Sequence, residues 1–159
     1  MRPRFFFNRF IRRPLAASWR DERGTQLIEL ALVVPVMLLL LGATAEFGRF
    51  FYTYSTLAKA TRDGARYLVS QPVGTSDVAA RNLVVYGNTV GTGTPLVAGL
   101  DASKVNIAGN RNGGAAVQTT TVSIQNFTYV PVFNLGGLLG RTAFTWNVSA
   151  GSTMRQMVQ

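Results

Sequence analysis

The sequence contains no cysteine and no histidine, and it has few charged side chains. The absence of cysteine excludes disulfides and thiolate chemistry, and the absence of histidine removes the commonest metal ligand and general base. Charged residues make up 14% of the chain, against roughly 25% in a typical soluble domain. Apolar residues make up 47%. This apolar excess indicates that part of the chain faces lipid.

Motifs that carry catalysis are also missing. There is no G-x-S-x-G nucleophile elbow and no Walker loop for phosphate. Hydrolysis by paired carboxylates would have to use Asp63, Asp77 and Asp101, which are scattered and lack a supporting motif. We therefore predict that the chain is not an enzyme, with no catalytic residues, no metal site, no cofactor and no small-molecule substrate.

The positive charge is concentrated at one end of the chain. The formal net charge is +9, and seven of the sixteen basic side chains precede Leu27. This is an asymmetry across a hydrophobic segment rather than a basic patch, so it disfavours a nucleic-acid partner. Basic residues flank membrane helices on the cytoplasmic side. The pattern predicts a cytoplasmic N-terminus and an exported C-terminal portion.

A hydrophobic segment follows this basic leader. The sixteen residues of 30–45 carry no charge, which corresponds to about 24 Å of helix. A few flanking apolar residues complete a membrane span over 25–48, with Glu29 and Glu46 near the two interfaces, where a carboxylate costs less than at the bilayer centre. Pro35 removes one helical hydrogen bond inside the segment. It predicts either a tolerated kink or a weak point that lets the helix bend as subunits pack.

Two export routes are compatible with this segment. In one, Ala43-Thr44-Ala45 is the A-x-A site of an ordinary signal peptide, which would place the cut before Glu46. In the other, the cut precedes the apolar helix, between Gly24 and Thr25, and Glu29 is then the fifth residue of the mature chain. The residues alone leave both routes open, as well as an uncut chain.

The sequence around the second cut resembles a known family. The stretch RGTQLIELALVVPVMLLL is similar to a type IV prepilin signal, with a basic leader, a glycine and a helix that carries glutamate at position five. Further on, AEFGRFFYTYSTLAKATRDGARYLV resembles the TadE-like pseudopilins (minor pilins) of the tight-adherence (Tad/Flp) type IV pilus system. The resemblance extends from about Arg23 to Val69.

The resemblance implies a processing route and a set of partners. It implies that a prepilin peptidase cuts between Gly24 and Thr25 on the cytoplasmic face. It also implies that Glu29 registers subunits by pairing with the mature amine at Thr25 of a neighbour. The implied partners are this peptidase, other pilin or pseudopilin subunits, the pilus assembly platform and the lipid bilayer. The implied location is a single-pass inner-membrane protein with a periplasmic or extracellular C-terminal domain, incorporation into a pilus being left open.

An amphipathic extension of the helix is predicted over 49–71. Apolar residues recur at three- and four-residue spacing from Phe47 through Leu57 to Leu68, and Pro72 ends the helix. The aromatic residues of this stripe are either an interfacial belt or the surface on which the distal domain folds. The helix-interface candidates are Glu46, Phe47, Arg49, Phe50, Tyr54, Arg62, Asp63 and Arg66.

The remainder, 72–159, is predicted to be an extracytoplasmic α+β domain. A short helix over 76–86 precedes three strands, at 104–108, 117–129 and 142–150, where polar and apolar residues alternate. Together with the leader, 1–24, these segments predict an α+β, pilin-like architecture. In it, a long N-terminal transmembrane and amphipathic helix packs on an antiparallel sheet of three or four strands.

Two functions from different classes remain. The first is a non-enzymatic minor pilin or pseudopilin that takes part in assembly or display of a tight-adherence pilus or a related secretion apparatus. The second is a secreted or membrane-anchored binding module, exported by an ordinary signal peptide and without a filament role. Retention of the helix and a cut at Gly24 would distinguish the first from the second.

Overall fold

The computed structural model describes residues 22–109, 118–133, 140 and 145–156. The chain divides into two units at the bond between Leu41 and Gly42. Most of the predicted leader lies outside the described residues. So do the predicted beginnings of the second and third strands, at 117 and 142.

Helix α1, Glu22–Val69, begins in the first unit and ends in the second. In the first unit every residue from Gly24 to Leu41 is exposed. An 18-residue window of this helix has a mean hydropathy of 2.4, with 6% of it buried. Pro35 lies within α1. This one apolar helix near the N-terminus fits a single-pass membrane anchor.

The second unit contains the end of α1, a second helix and a sheet. Helix α2 is Asp77–Tyr86, and the strands are β1 Val105–Ala108, β2 Thr119–Tyr129 and β3 Trp146–Arg155. The three strands form one antiparallel sheet in the order β1-β2-β3. The predicted α+β architecture, a long helix with a small antiparallel sheet, is confirmed.

Both helices end where local chemistry predicts. After α1, a turn is closed by the amides of Ser70 and Gln71, which donate to the carbonyls of Tyr67 and Leu68. Pro72 follows, and a residue before proline is disfavoured in helical geometry. Helix α2 ends at Gly87, whose φ of 72° is the left-handed conformation of a glycine cap.

The end predicted for the third strand, at Ala150, is wrong. Strand β3 continues to Arg155, because Gly151 to Arg155 pair with Ser123 to Thr119 of β2. The polar sequence of this extension carries little strand signal. Its backbone is strand because β2 is long enough to supply hydrogen-bonding partners. The chain then stays attached through Gln156, whose side-chain amide donates to the carbonyl of Gln71 at 3.1 Å.

The core of the second unit lies between α1, α2 and one face of the sheet. Helix α1 contributes its distal half, in which Leu57, Thr61, Ala65 and Leu68 are buried as the stripe predicts. The aromatic part of the stripe does not share this role. Only Phe50 packs against the core, and the others are exposed: Phe47, Phe51 and Tyr54.

Gly64 lets α2 approach α1 closely. A Cβ atom built on Gly64 would lie 2.5 Å from Cγ2 of Val84 in α2 and 3.6 Å from Cγ1 of Val122 in β2. These distances leave no room for a side chain, because real Cβ contacts are not found below 3.0 Å. Gly64 therefore has a role in the packing of the two helices.

Replacing Gly64 with valine is expected to destabilise the second unit by about 2 kcal/mol, within the range for overpacked cores. The measurement is chemical unfolding of the full chain in detergent, followed by near-ultraviolet circular dichroism. Gly48→Val is the matched control, because a Cβ on Gly48 in the same helix would meet nothing within 4 Å. Equal midpoints for the two variants would contradict the packing role, and Val84→Ala should partly rescue Gly64→Val.

Candidate functional site

The Glu46 carboxylate joins α1 to the segment that follows β2. Its Oε1 accepts a hydrogen bond from the Tyr129 hydroxyl at 2.5 Å. Its Oε2 accepts from the backbone N–H of Val132 at 3.2 Å and from that of Phe133 at 3.1 Å. Arg49 Nη1 lies 3.8 Å from Oε2. The Glu46 side chain is 14% exposed, so these donors replace most of the water that the charge would otherwise bind.

A β-bulge in β2 brings Tyr129 to Glu46. In the first part of β2 the even-numbered residues Thr120, Val122 and Ile124 are buried. The pairing with β3 shifts by one residue between Ile124 and Phe127, and Asn126 has a φ of 57°. One extra residue reverses the alternation. Tyr129 is consequently buried on the core side.

Phe50 is the centre of an aromatic group beside the carboxylate. Its ring meets those of Tyr129, Trp146 and Phe51 edge to face, with centroid distances of 5.4, 6.3 and 5.9 Å. Such contacts contribute about 0.5–1.5 kcal/mol each beyond the area they bury. They fix the beginning of β3, at Trp146, against α1.

An open apolar cleft of about 440 Å³ lies next to this group. Its surface is almost entirely apolar and comes from α1, from the start of β3 and from the segment after β2. Among the described residues that line it, Glu46 has the one titratable side chain. Such a lining is suited to apolar contact. The lining residues are Ala43, Glu46, Phe47, Phe50, Pro131, Phe133 and Trp146.

Phe133 also contacts α1 one helical turn before Glu46. A Cβ built on Gly42 would lie 3.1 Å from the Phe133 ring. The ring therefore packs on the bare backbone of the helix. Gly42 and Glu46 are on one side of α1, because residues four apart are neighbours on a helix surface.

Burial raises the pKa of the Tyr129 hydroxyl, and its hydrogen bond and proximity to the Glu46 carboxylate raise it further. The hydroxyl donates a hydrogen bond to the carboxylate, so ionisation of Tyr129 would replace that hydrogen bond with repulsion between two anions.

The structure brings together four of the predicted helix-interface residues, Glu46, Phe47, Arg49 and Phe50, at the cluster and its cleft. The other four are exposed on α1 and do not line the cleft: Tyr54, Arg62, Asp63 and Arg66.

The residues predicted for processing and registration lie in the first unit. Gly24, Thr25 and Glu29 are all within α1 and all exposed. A Cβ on Gly24 would meet nothing within 4 Å. Their roles depend on a peptidase and on neighbouring subunits, and they stay predictions.

Sequence reasoning missed the part of the cluster that does not lie on α1. The predicted strands contain Tyr129 and Trp146, but nothing in the sequence assigns them, Pro131 or Phe133 to a contact with the helix. One signal was present in the run YVPVF, because five apolar residues in succession at a strand end are unusual in an exposed loop.

A long apolar helix joined to a small three-stranded antiparallel sheet defines the class of the protein as α+β and pilin-like. Residues 24–66 match the family model described as TadE-like protein, so the recognition made from the sequence is confirmed for this segment. The match falls wholly within α1. No curated protein and no solved structure matches the chain.

Replacing Glu46 with glutamine should loosen the segment after β2. The amide keeps the size of the carboxylate but loses its charge, and hydrogen bonds to charged groups contribute about 1.5–3 kcal/mol. We expect faster amide hydrogen exchange at Val132 and Phe133 in the full chain. Arg49→Gln is the control, because its half-exposed ion pair contributes about 0–1 kcal/mol. Equal exchange in both variants would show that the carboxylate does not hold the segment.

The raised pKa of Tyr129 predicts a loss of stability in alkali. The hydroxyl ionises more readily in the unfolded chain, near pH 10, so its contribution is complete below that pH. It is lost as the pH rises through the folded-state pKa. The measurement is the unfolding midpoint of the full chain in detergent from pH 8 to 11. Tyr129→Phe should flatten the alkaline part of the profile, and an unchanged profile would contradict the assignment.

Proposed function

We propose that the protein is a non-enzymatic minor pilin or pseudopilin. It takes part in the assembly or display of a tight-adherence pilus or a related secretion apparatus. The observation that carries the proposal is the TadE-like match over residues 24–66. It includes the proposed cut, the apolar segment and the amphipathic extension as far as residue 66 in one continuous piece.

In this proposal α1 crosses the inner membrane once, over 25–48, with the basic leader in the cytoplasm. The exposed apolar surface of Gly24–Leu41 supports this arrangement, because such a surface is stable in lipid or among other apolar helices. The second unit is then periplasmic or extracellular. Its partners are other pilin subunits and the assembly platform.

A prepilin peptidase is proposed to cut between Gly24 and Thr25, which leaves α1 in the mature chain. The competing cut, after Ala45, would remove Gly42 and Ala43. Phe133 packs on Gly42, and Ala43 lines the cleft. Because a cut after Ala45 would remove these contacts, they support the proposed cut over the ordinary signal peptide, and with it the pilin role over the secreted binding module.

Glu29 is proposed to register neighbouring subunits through the mature amine of Thr25. A carboxylate that faces hydrocarbon without a partner is unfavourable, whereas an ammonium group at close range stabilises it strongly in a medium of low dielectric constant. The pairing is therefore sensitive to position along the helix.

Intact mass of the membrane-extracted protein tests the proposal. Co-expression with a prepilin peptidase should give a chain that begins at Thr25, and cells without this enzyme should retain the leader. Gly24→Leu should block the cut without disturbing the helix, because a Cβ there meets nothing. Glu29→Gln is the control, with the cut unchanged. A mature chain that begins at Glu46 would reject the proposal in favour of the binding module.

A further inference from the structure

The segment after β2 presents apolar side chains to its surroundings. Val132 is 72% exposed and Phe133 is 51% exposed. Phe47 is 61% exposed and Trp146 is 49% exposed, and both line the cleft together with Phe133. These three residues and Val132, which precedes Phe133, are called the apolar rim. Clustered exposed apolar groups mark a contact surface for a partner or a membrane.

The position of the rim along α1 points to lipid. A helix needs about 20 residues to cross the hydrocarbon of a bilayer. The uncharged run 30–45 is the central part of such a span. A span that begins at Leu27 therefore ends near Glu46. Gly42 lies about one helical turn, or about 6 Å, inside that end. Because the Phe133 ring packs on Gly42, Phe133 has the same depth.

The backbone N–H groups of this segment have partners within the chain. A buried N–H without a partner is costly in hydrocarbon, which is why loops rarely enter it. Here Pro131 has no N–H, and the N–H groups of Val132 and Phe133 both donate to Glu46. Three consecutive residues thus offer no unpaired donor. The same bonds satisfy the Glu46 carboxylate at the edge of the span.

The composition of the rim fits the boundary between headgroups and acyl chains. Tryptophan and tyrosine are enriched at this depth, and apolar side chains there are buried about 5–10 Å into the boundary. Arg49 is on the same helix, with about half of its side chain exposed. A long basic side chain at this position can reach the phosphate layer while its stem stays among apolar groups.

We propose that the apolar rim inserts into the outer leaflet of the membrane that α1 crosses, as a second and shallower lipid contact of the same chain. The cleft is then occupied by the part of the phospholipid acyl chains that lies nearest to the headgroups. This inference rests on the proposed function, because it requires α1 to span the bilayer. It makes Glu46 the polar bridge that allows the segment after β2 to enter lipid.

Depth-dependent fluorescence quenching tests the inference on the full chain in phosphatidylcholine vesicles. The chain has no cysteine, so single cysteines can carry an environment-sensitive nitrobenzoxadiazole dye. Val132→Cys reports on the rim, and Leu38→Cys reports on α1. Val90→Cys is the matched control, because Val90 is a valine of similar exposure, 76%, outside the rim.

The dye at Val132 should emit at shorter wavelength than the dye at Val90. Nitroxide lipids labelled near the headgroup should quench the dye at Val132. Nitroxide lipids labelled deep in the acyl chains should quench the dye at Leu38. If Leu38 is quenched while Val132 behaves as Val90, the inference is wrong and the anchor stands. If neither is quenched, the anchor itself fails. A blue-shifted Val132 that lipid does not quench would indicate a protein partner and would overturn the lipid assignment.

Discussion

The structure depends on how one carboxylate is satisfied. Glu46 lies where the apolar run of α1 ends, and a charge in that position must find donors or remain in water. Three hydrogen-bond donors of its own chain bind it: the Tyr129 hydroxyl and the backbone N–H groups of Val132 and Phe133. This arrangement holds the end of β2 against the helix. It also gives the backbone N–H groups of Val132 and Phe133 a partner within the chain.

Two local backbone features set the packing on α1. The left-handed Asn126 shifts β2 by one residue, so that Tyr129 lies on the core face and reaches Glu46. Asparagine tolerates this conformation better than most residues do. Gly64 allows α2 to approach the same helix more closely than a residue with a side chain would.

The sequence was sufficient for the elements and insufficient for the site. Helix α1 and helix α2 follow from apolar spacing, Pro72 and Gly87, and the strands follow from alternation except for the extension of β3 beyond Ala150. The bulge does not follow, because Asn126 is an ordinary residue in a Thr- and Asn-rich strand. The Glu46–Tyr129 bond joins residues 83 positions apart, and no local pattern encodes such a distance. The aromatic residues of the stripe differ in burial for the same reason. Tertiary packing alone decides which face of α1 the sheet covers.

Glu29 and Glu46, both on α1, differ in how their charge is satisfied. The Glu46 carboxylate receives its hydrogen bonds within its own chain, so it needs no donor from a neighbouring subunit. Glu29, in contrast, has no hydrogen-bond or ion-pair partner among the residues that the structure describes. A carboxylate within a membrane helix costs roughly 2.5–3.5 kcal/mol at the bilayer centre and less toward the interface. Under the proposed pairing, a cation from a second chain would relieve that cost at Glu29. Glu46 needs no such partner, because its own chain supplies the donors.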